Sequence, residues 1–369
     1  MKVGIFGGTF NPPHNTHIEI ARAAKEQLSL DKLIVVPCGI PPHKHTTVSS
    51  AHRLEMARRA FCGIGEVSDF EINKQGKSYT VETFRHVKDE YPNAEFFLIM
   101  GGDSFHSFSH WYCPEEIARL ATIAVVQRAD VSTMHQQQIA TEIFHAKVVF
   151  LDFSPTAVSS TEIRLRYQFG MNNTDAVPQS VDDYVKSAGL YAEYLSTVEK
   201  LKTYLDEKRL CHTFYVVKRG LEIANGTDDL GKVFLACLLH DCAKNIPESD
   251  YAKYGFAPPA DMPKPVMHSF LGARVAEADF GVTDQDVLSA IAYHTTGCPN
   301  MSRLQKIVYV ADKTEQSRPY PLEHLLKGSL DDQLVSCLEE ANSYTAAHHG
   351  TDVYPLTQET LAYYCKKSD

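Results

Sequence analysis

The sequence has little positive charge to offer: 36 lysines and arginines stand against 46 aspartates and glutamates, for a formal charge of −10 over 369 residues. Affinity for a nucleic-acid backbone needs a net basic face, so no nucleic-acid partner is expected, although a few local cations can still hold a small anion. It also lacks long apolar runs. Stretches such as Phe96 to Met100 and Ile123 to Val126 are strand-sized, far short of the roughly 20 residues a spanning helix requires, so no membrane segment is expected. Nine cysteines contain no CxxC pair, which argues against both a disulfide framework and a thiolate zinc site and points to reduced thiols. The N-terminus enters a strand pattern at once, with no signal-peptide architecture, and the expected location is cytoplasmic. Tryptophan is nearly absent, Trp111 being the only one.

What is present divides the chain in two. In the first half, β-rich runs (Lys2 to Phe6, Lys32 to Pro37, Val67 to Ile72, Glu95 to Met100, Thr122 to Val126, Lys147 to Phe150) alternate with amphipathic stretches such as Thr16 to Leu28, Ala51 to Cys62 and Thr80 to Tyr91. That alternation predicts an α/β, Rossmann-like domain with a parallel sheet, whose ligands bind at the carboxyl ends of the strands. After about Ser196 only helical patterns remain: Val198 to Asn225, Gly231 to Lys244, Ser269 to Phe280, Asp284 to His294, Met301 to Thr314 and Leu330 to His349. They predict an all-α second domain. The expected division is 1–191 and 192–369, with the boundary near Gly189 to Glu193.

The first candidate site is Gly7-Gly8-Thr9-Phe10, followed by Asn11-Pro12-Pro13-His14, directly after the first strand and leading into a helix. Glycines let a backbone approach a phosphate closely, and a helix N-terminus adds N–H donors. A Gly-Gly turn alone reads as a tight connection. His14 and His17, three apart on one helix face, shift the balance towards phosphate binding, since imidazoles can donate to phosphate oxygens. The segment Val158-Ser159-Ser160-Thr161-Glu162-Ile163-Arg164 reads either as a helix cap or as hydroxyls, a helix N-terminus and Arg164 gathered into a polyphosphate clamp. Both segments resemble signatures of the nucleotidyltransferase superfamily, with Thr16 standing where that family carries glycine. Between them, Pro41-Pro42-His43-Lys44, Ser78 to Thr83, Gly101-Gly102-Asp103-Ser104 with Trp111, and Val126-Gln127-Arg128 resemble bacterial nicotinate-nucleotide adenylyltransferases, in that order. The resemblance implies in-line attack of nicotinate mononucleotide on the α-phosphorus of ATP, with Mg²⁺ accompanying the ATP. It implies further that His14, His17, Lys44 and Arg164 neutralise charge, and that Gly7, Gly8, Thr9, Phe10, Asp103, Ser159, Ser160 and Thr161 bind the nucleotide. Thr83, Trp111 and Arg128 would meet the pyridine substrate, with the ring stacked on the indole.

The second candidate site is the ordered set His212, His240-Asp241, His268, His294 and Asp312, each within or at the end of an apolar helical pattern. A charged Asp241 after Phe234-Leu235-Ala236-Cys237-Leu238-Leu239 is costly to bury without compensation. Imidazole and carboxylate on facing helices suit iron, manganese or zinc. The set resembles the HD phosphohydrolase superfamily, and the strings around His240, His294 and Asp312 resemble its YqeK-type branch. That resemblance implies two transition-metal ions, iron first with manganese or zinc as alternatives, and cleavage of a dinucleoside polyphosphate, diadenosine tetraphosphate, to two ADP. Asp241 and Lys244 would serve the chemistry, with Arg209 and Arg318 as weaker phosphate partners. The rivals are a sister adenylyltransferase acting on phosphopantetheine or FMN for the first domain. For the second they are another HD phosphodiesterase or phosphatase, or a helical module without catalysis. A homo-oligomer is compatible with the sequence.

Overall fold

The computed structural model describes residues 1–41, 48–126, 134–153, 158–349 and 353–365. The chain divides into two compact units, Met1–Glu193 and Tyr194–Asp369.

In the first unit six parallel strands, β1 (Lys2–Gly8), β2 (Lys32–Pro37), β3 (Glu66–Val67), β4 (Glu95–Gly101), β5 (Ala121–Val126) and β6 (Val148–Leu151), form one sheet in the order 3-2-1-4-5-6. The central strands read as nearly unbroken apolar runs because helices cover both faces. Successive side chains point to opposite faces, so Phe6, Val35, Phe97, Ile99 and Ala124 enter one core, while Ile5, Ile34, Val36, Leu98 and Ile123 enter the other. The strand order reverses between β1 and β4, the place in such a sheet where ligands bind at the carboxyl ends, here next to Gly8 and Gly101.

One expected strand is mostly absent. Of the run Val67 to Ile72 only Val67 lies in a strand, the second residue of β3, and the chain then coils into a short helix, Phe70–Asn73, which carries Glu71 inward. The buried Glu71 accepts a hydrogen bond from Thr83 Oγ1 at 2.6 Å, a tertiary partner that no local pattern announces. Its backbone also packs against Gly39, where an added Cβ would stand 2.1 Å from Glu71 O and 3.0 Å from Ser78 Oγ. Backbone cannot retreat as a flexible side chain can. Gly39→Ala is therefore expected to cost about 1–3 kcal/mol of stability through overpacking, read as a lowered denaturation midpoint with unchanged slope.

The second unit is helical throughout its described residues. Its α-helices are Leu195–Leu201, Glu207–Ile223, Leu230–Leu239, Lys264–Phe280, Gln285–Tyr293, Arg303–Thr314, Leu330–His349 and Pro355–Cys365. The stretch Val198 to Asn225, expected as one helix, is two. Asp206 accepts from the Arg209 backbone N–H at 2.8 Å and caps a fresh start after the turn. The pattern Gly231 to Lys244 likewise stops as a helix at Leu239; tight turns follow, in which Cys242 N donates to Leu239 O and Lys244 N to Asp241 O. The helix expected from Ser269 begins at Lys264, so His268 lies inside it. Among the described residues no helix is long and apolar enough to cross a membrane.

Candidate active sites

The loop leaving β1 is shaped for close approach. A Cβ on Gly7 would point into open space, and one on Gly8 would meet the Phe10 ring at 2.8 Å. Phe10 takes a left-handed backbone (φ 48°) that turns its ring into the core against Phe6 and Phe61. The helix Asn15–Gln27 starts immediately after His14, and Thr16 is buried within it. The His14 and His17 rings lie 3.8 Å apart, and His14 N donates to His17 Nδ1 at 3.2 Å. A neutral His17 whose Nδ1 accepts must carry its proton on Nε2, so the ring offers a donor at that atom.

The distant second segment comes to the same loop. Ser159 Oγ accepts from Glu162 N at 3.1 Å and caps the helix Ser160–Gln168. Ser160 Oγ donates to Pro12 O at 3.0 Å. Arg164 donates through Nη1 to Asn11 O at 2.8 Å and through Nη2 to Thr161 Oγ1 at 3.1 Å. Burial lowers the Arg164 pKa from its ordinary value. Ser160 and Arg164 thus tie their helix to the His14 loop across about 150 residues of sequence, while Ser159 caps that helix and Thr161 steadies Arg164.

The remaining expected residues lie elsewhere in the first unit or outside the described residues. Asp103 is exposed in the five-residue helix Gly102–His106 that directly follows β4. Trp111 is half-buried beside Phe108, at a centroid distance of 5.7 Å, and its Nε1–H donates to Ser107 Oγ at 3.3 Å. Thr83 is buried with its hydroxyl proton given to Glu71, so that proton is committed within the fold. Lys44 and Arg128 lie outside the described residues.

Two residues that sequence reasoning missed hold the loop in place. Arg53, 1% exposed, donates through Nη1 to Thr9 O at 2.9 Å and Cys38 O at 2.5 Å, and through Nη2 to Gly39 O at 2.6 Å. It ties the turn after β1 to the turn after β2. A signal existed: Arg53 shares the buried stripe of the helix Ser50–Ala60 with Met56, Ala57 and Ala60, at spacings of three, four and seven. Tyr191 donates its buried hydroxyl to Asn11 Oδ1 at 2.7 Å, and nothing local marks it.

In the helical unit the six expected ligands converge. His212 belongs to Glu207–Ile223, His240 and Asp241 follow Leu230–Leu239, His268 lies in Lys264–Phe280, His294 ends Gln285–Tyr293, and Asp312 lies in Arg303–Thr314. Their donor atoms form two groups that share Asp241: His212, His240 and Asp241, and Asp241, His268 and His294, with the atoms of each group within 4.8 Å of one another. Asp241 divides its oxygens between them. Oδ1 lies 3.0 Å from His268 Nε2 and 3.6 Å from His294 Nε2, whereas Oδ2 lies 3.6 Å from His240 Nε2 and 4.0 Å from His212 Nε2. Asp312 Oδ1 joins the first group, 3.1 Å from His212 Nε2 and 3.7 Å from His240 Nε2.

The donor chemistry fits divalent cations. His240 and His294 turn Nδ1 to the carbonyls of Cys237 at 2.7 Å and Ile291 at 2.8 Å, and His212 turns Nδ1 to the Glu315 carboxylate at 3.0 Å. Each Nδ1 therefore carries a proton, which in a neutral ring leaves a lone pair on Nε2; for His212 burial opposes the charged ring, but the Asp312 and Glu315 carboxylates on either side outweigh it and raise its pKa, so a cation there would displace the second proton. Nε2 of His240 nevertheless faces Nε2 of His212 at 3.3 Å, and Nε2 of His268 faces that of His294 at 3.1 Å. Lone pairs gathered with two buried carboxylates in one pocket are reconciled by a cation. Burial pushes the His240 pKa down to about 3 and that of His268 to about 4, keeping both neutral, the form in which an imidazole can bind a cation. Burial opposes ionisation of Asp241 and Asp312 too. Their cationic and imidazole neighbours outweigh it and hold both carboxyls well below the usual range.

Cations ring this pocket. Arg209 Nη1 donates to Asp241 Oδ2 at 2.8 Å, Arg318 Nη2 to Asp312 Oδ1 at 2.5 Å, and Lys244 Nζ lies 3.8 Å from Asp241 Oδ1. Glu315, buried behind His212, was missed by sequence reading; its only cue is an acid three residues beyond Asp312. Carboxylates in this place fix ring orientation and basicity. Glu315→Gln is therefore expected to weaken metal binding about 10–100-fold, measured by competition with a chelating dye, while leaving the fold intact.

With both sites described, the comparisons can be stated. Residues 5–166 match the family described as Cytidylyltransferase-like, and residues 209–317 match the HD domain. The molecule thus combines a nucleotidyltransferase-type α/β unit with a helical unit of the HD class. A Mycoplasma pneumoniae protein named "Probable nicotinate-nucleotide adenylyltransferase/Ap4A hydrolase" is 31% identical over 322 residues, covering 85% of this chain and 88% of that protein. A Clostridium tetani protein named "Probable nicotinate-nucleotide adenylyltransferase" is 36% identical over 197 residues, 52% of this chain and 98% of its own. A crystal structure of a predicted HD superfamily hydrolase involved in NAD metabolism from Clostridium acetobutylicum shares 29% identity, covering 47% of this chain and 98% of that one, with a TM-score of 0.45. The chain belongs to the family of nicotinate-nucleotide adenylyltransferase/Ap4A hydrolase proteins.

Proposed function

We propose that the first unit transfers AMP from ATP to nicotinate mononucleotide, giving nicotinate adenine dinucleotide and pyrophosphate, and that the second hydrolyses a dinucleoside polyphosphate, diadenosine tetraphosphate, to two ADP. The carrying observation for the transferase is the meeting of Ser160 and Arg164 with the Asn11–Pro12 turn beside His14 and His17, at the point where the strand order reverses. No protein nucleophile is needed. The backbone of Gly7, Gly8, Thr9 and Phe10 cradles the triphosphate, and His14, the Nε2–H of His17 and the Arg164 guanidinium meet the charge that develops on it. Ser159, Ser160 and Thr161 hold the helix N-terminus towards the phosphates, Lys44 adds a further cation, and Asp103 contacts the nucleotide ribose or orders the site. Trp111 stacks the pyridine ring. Arg128 and the backbone around Trp111 read the nicotinate carboxylate, and Thr83, its hydroxyl proton given to Glu71, positions that site rather than donating to the substrate. Mg²⁺ accompanying ATP supplies further charge neutralisation.

In the helical unit His212, His240, Asp312 and Asp241 Oδ2 would hold one ion, and His268, His294 and Asp241 Oδ1 a second. Iron is the first expectation, with manganese or zinc as alternatives. Such ions supply Lewis-acid and water-activating chemistry. Arg209, Lys244 and Arg318 bind and orient substrate phosphates around them.

Turnover assays with ATP and each of nicotinate mononucleotide, nicotinamide mononucleotide, phosphopantetheine and FMN test the first assignment, and activity with phosphopantetheine or FMN alone would end it. Product analysis with diadenosine tetraphosphate tests the second: two ADP are expected, and release of AMP with ATP would point to a different cleavage.

A further inference from the structure

Every hydrogen bond that the Arg53 side chain makes among the described residues goes to a backbone carbonyl, Thr9 O in the turn after β1 and Cys38 O and Gly39 O in the turn after β2. The same two turns are joined directly by Cys38 N, which donates to Gly8 O at 2.9 Å. The turn after β2 is also held from its far side. Gly39 N donates to Ser78 Oγ at 3.1 Å, and Ser78 N donates to Ile40 O at 3.1 Å. Gly39 has no room for a Cβ against Glu71 O, and Glu71 in turn accepts from Thr83. Arg53, Glu71, Ser78 and Thr83 are all buried. A continuous path therefore runs from Thr9 through Arg53 to Gly39, and from there to Ser78 on one branch and to Glu71 and Thr83 on the other. Each end has supports of its own. Arg164, Ser160 and Tyr191 hold the Asn11–Pro12 turn, and Thr83 lies in the helix Thr80–Glu90 with its hydroxyl on Glu71. What is left to Arg53 is the distance between the ends.

On the transferase reading given above, we infer that Arg53 is a positioning residue for adenylyl transfer. Acting through the backbone of the two turns, it fixes the spacing between the triphosphate cradle at Thr9 and the mononucleotide side of the site at Ser78 and Thr83, and so aligns the attacking phosphate with the α-phosphorus. In-line displacement tolerates little error, since a misplacement of about 1 Å costs roughly a hundredfold in rate. A guanidinium suits the task because its planar fork holds several acceptors in one fixed arrangement, whereas a lysine keeps the charge at a single point. Arg53 therefore governs the rate of the bound pair and not the affinity of either partner alone.

The split between rate and binding tests this in the full chain. Arg53→Lys is expected to lower kcat for adenylyl transfer about a hundredfold, while the Kd of ATP without nicotinate mononucleotide, and of nicotinate mononucleotide without ATP, each stay within about threefold of wild type. Isothermal titration calorimetry supplies both constants, and binding of one ATP per chain reports that the first unit is folded. Ser78→Ala, a smaller change on the other side of Gly39, should show the same pattern with a loss of about tenfold, and it decides the matter should Arg53→Lys fail to bind ATP stoichiometrically. A kcat within about threefold of wild type in either folded variant would reduce Arg53 to a structural tie and overturn the inference alone. So would a Kd raised about tenfold or more with kcat retained, the mark of lost binding without lost alignment. A wild-type chain that transfers no AMP to nicotinate mononucleotide would instead overturn the transferase reading on which it stands.

Discussion

Asp241→Asn is expected to lower hydrolysis of diadenosine tetraphosphate at least about a thousandfold, equivalent to roughly 4 kcal/mol of transition-state stabilisation. The magnitude follows from the division of its oxygens: one change removes the only carboxylate of the His268 and His294 group and one of two from the His212 and His240 group. An asparagine amide carries no charge. Its NH₂ would face either the Arg209 guanidinium, now 2.8 Å from Oδ2, or the His268 nitrogen 3.0 Å from Oδ1. Bound metal should fall below one equivalent per chain, measured by elemental analysis of the purified protein. Adenylyl transfer should stay at the wild-type rate, because none of the residues assigned to it lies beyond Glu193. Hydrolysis within tenfold of wild type would remove Asp241 from the centre of the site.

The second large effect belongs to the other unit. Arg164→Ala should lower kcat for adenylyl transfer about 10²–10³-fold, the usual loss when one preorganised donor to developing charge is removed. Its guanidinium is placed by two hydrogen bonds, to Asn11 O and Thr161 Oγ1, so its aim is set before substrate arrives. Arg164→Lys should recover part of the rate through its charge but not the two-pronged geometry. Diadenosine tetraphosphate hydrolysis should not change. Steady-state rates with both substrates in each variant separate the two activities, and a loss below tenfold in Arg164→Ala would return that residue to the role of a helix cap.

These effects rest on features of unequal legibility. The patterns were plain: short unbroken apolar runs alternating with amphipathic stripes yielded the parallel sheet, and stripes in period 3.6 alone yielded the helical unit. The ordered histidines and aspartates were visible because each helix brings its own ligand. Errors fell where a single contact, distant in one case and a local cap in the other, overrides a compositional pattern. Val67 to Ile72 has strand composition, yet Glu71 is drawn inward to Thr83 and the strand stops at Val67. Val198 to Asn225 has helical composition, yet Asp206 caps a new helix within it.

The sequence by itself determined which chemistries were available: paired imidazoles after a glycine turn, an arginine one turn into a distant helix, and a set of histidines and aspartates on apolar helices. Those are properties of residue type and spacing, and they survive without coordinates. Tertiary structure alone decided that Arg53 reaches the carbonyls of Thr9, Cys38 and Gly39, that Tyr191 holds Asn11, that Glu315 stands behind His212, and that Asp241 gives one oxygen to each group. Every residue has a backbone carbonyl, and both oxygens of a carboxylate carry the same name. A hydrogen bond to the first, or a division between the second, therefore leaves no mark on the order of residues and appears only when distant segments are packed together.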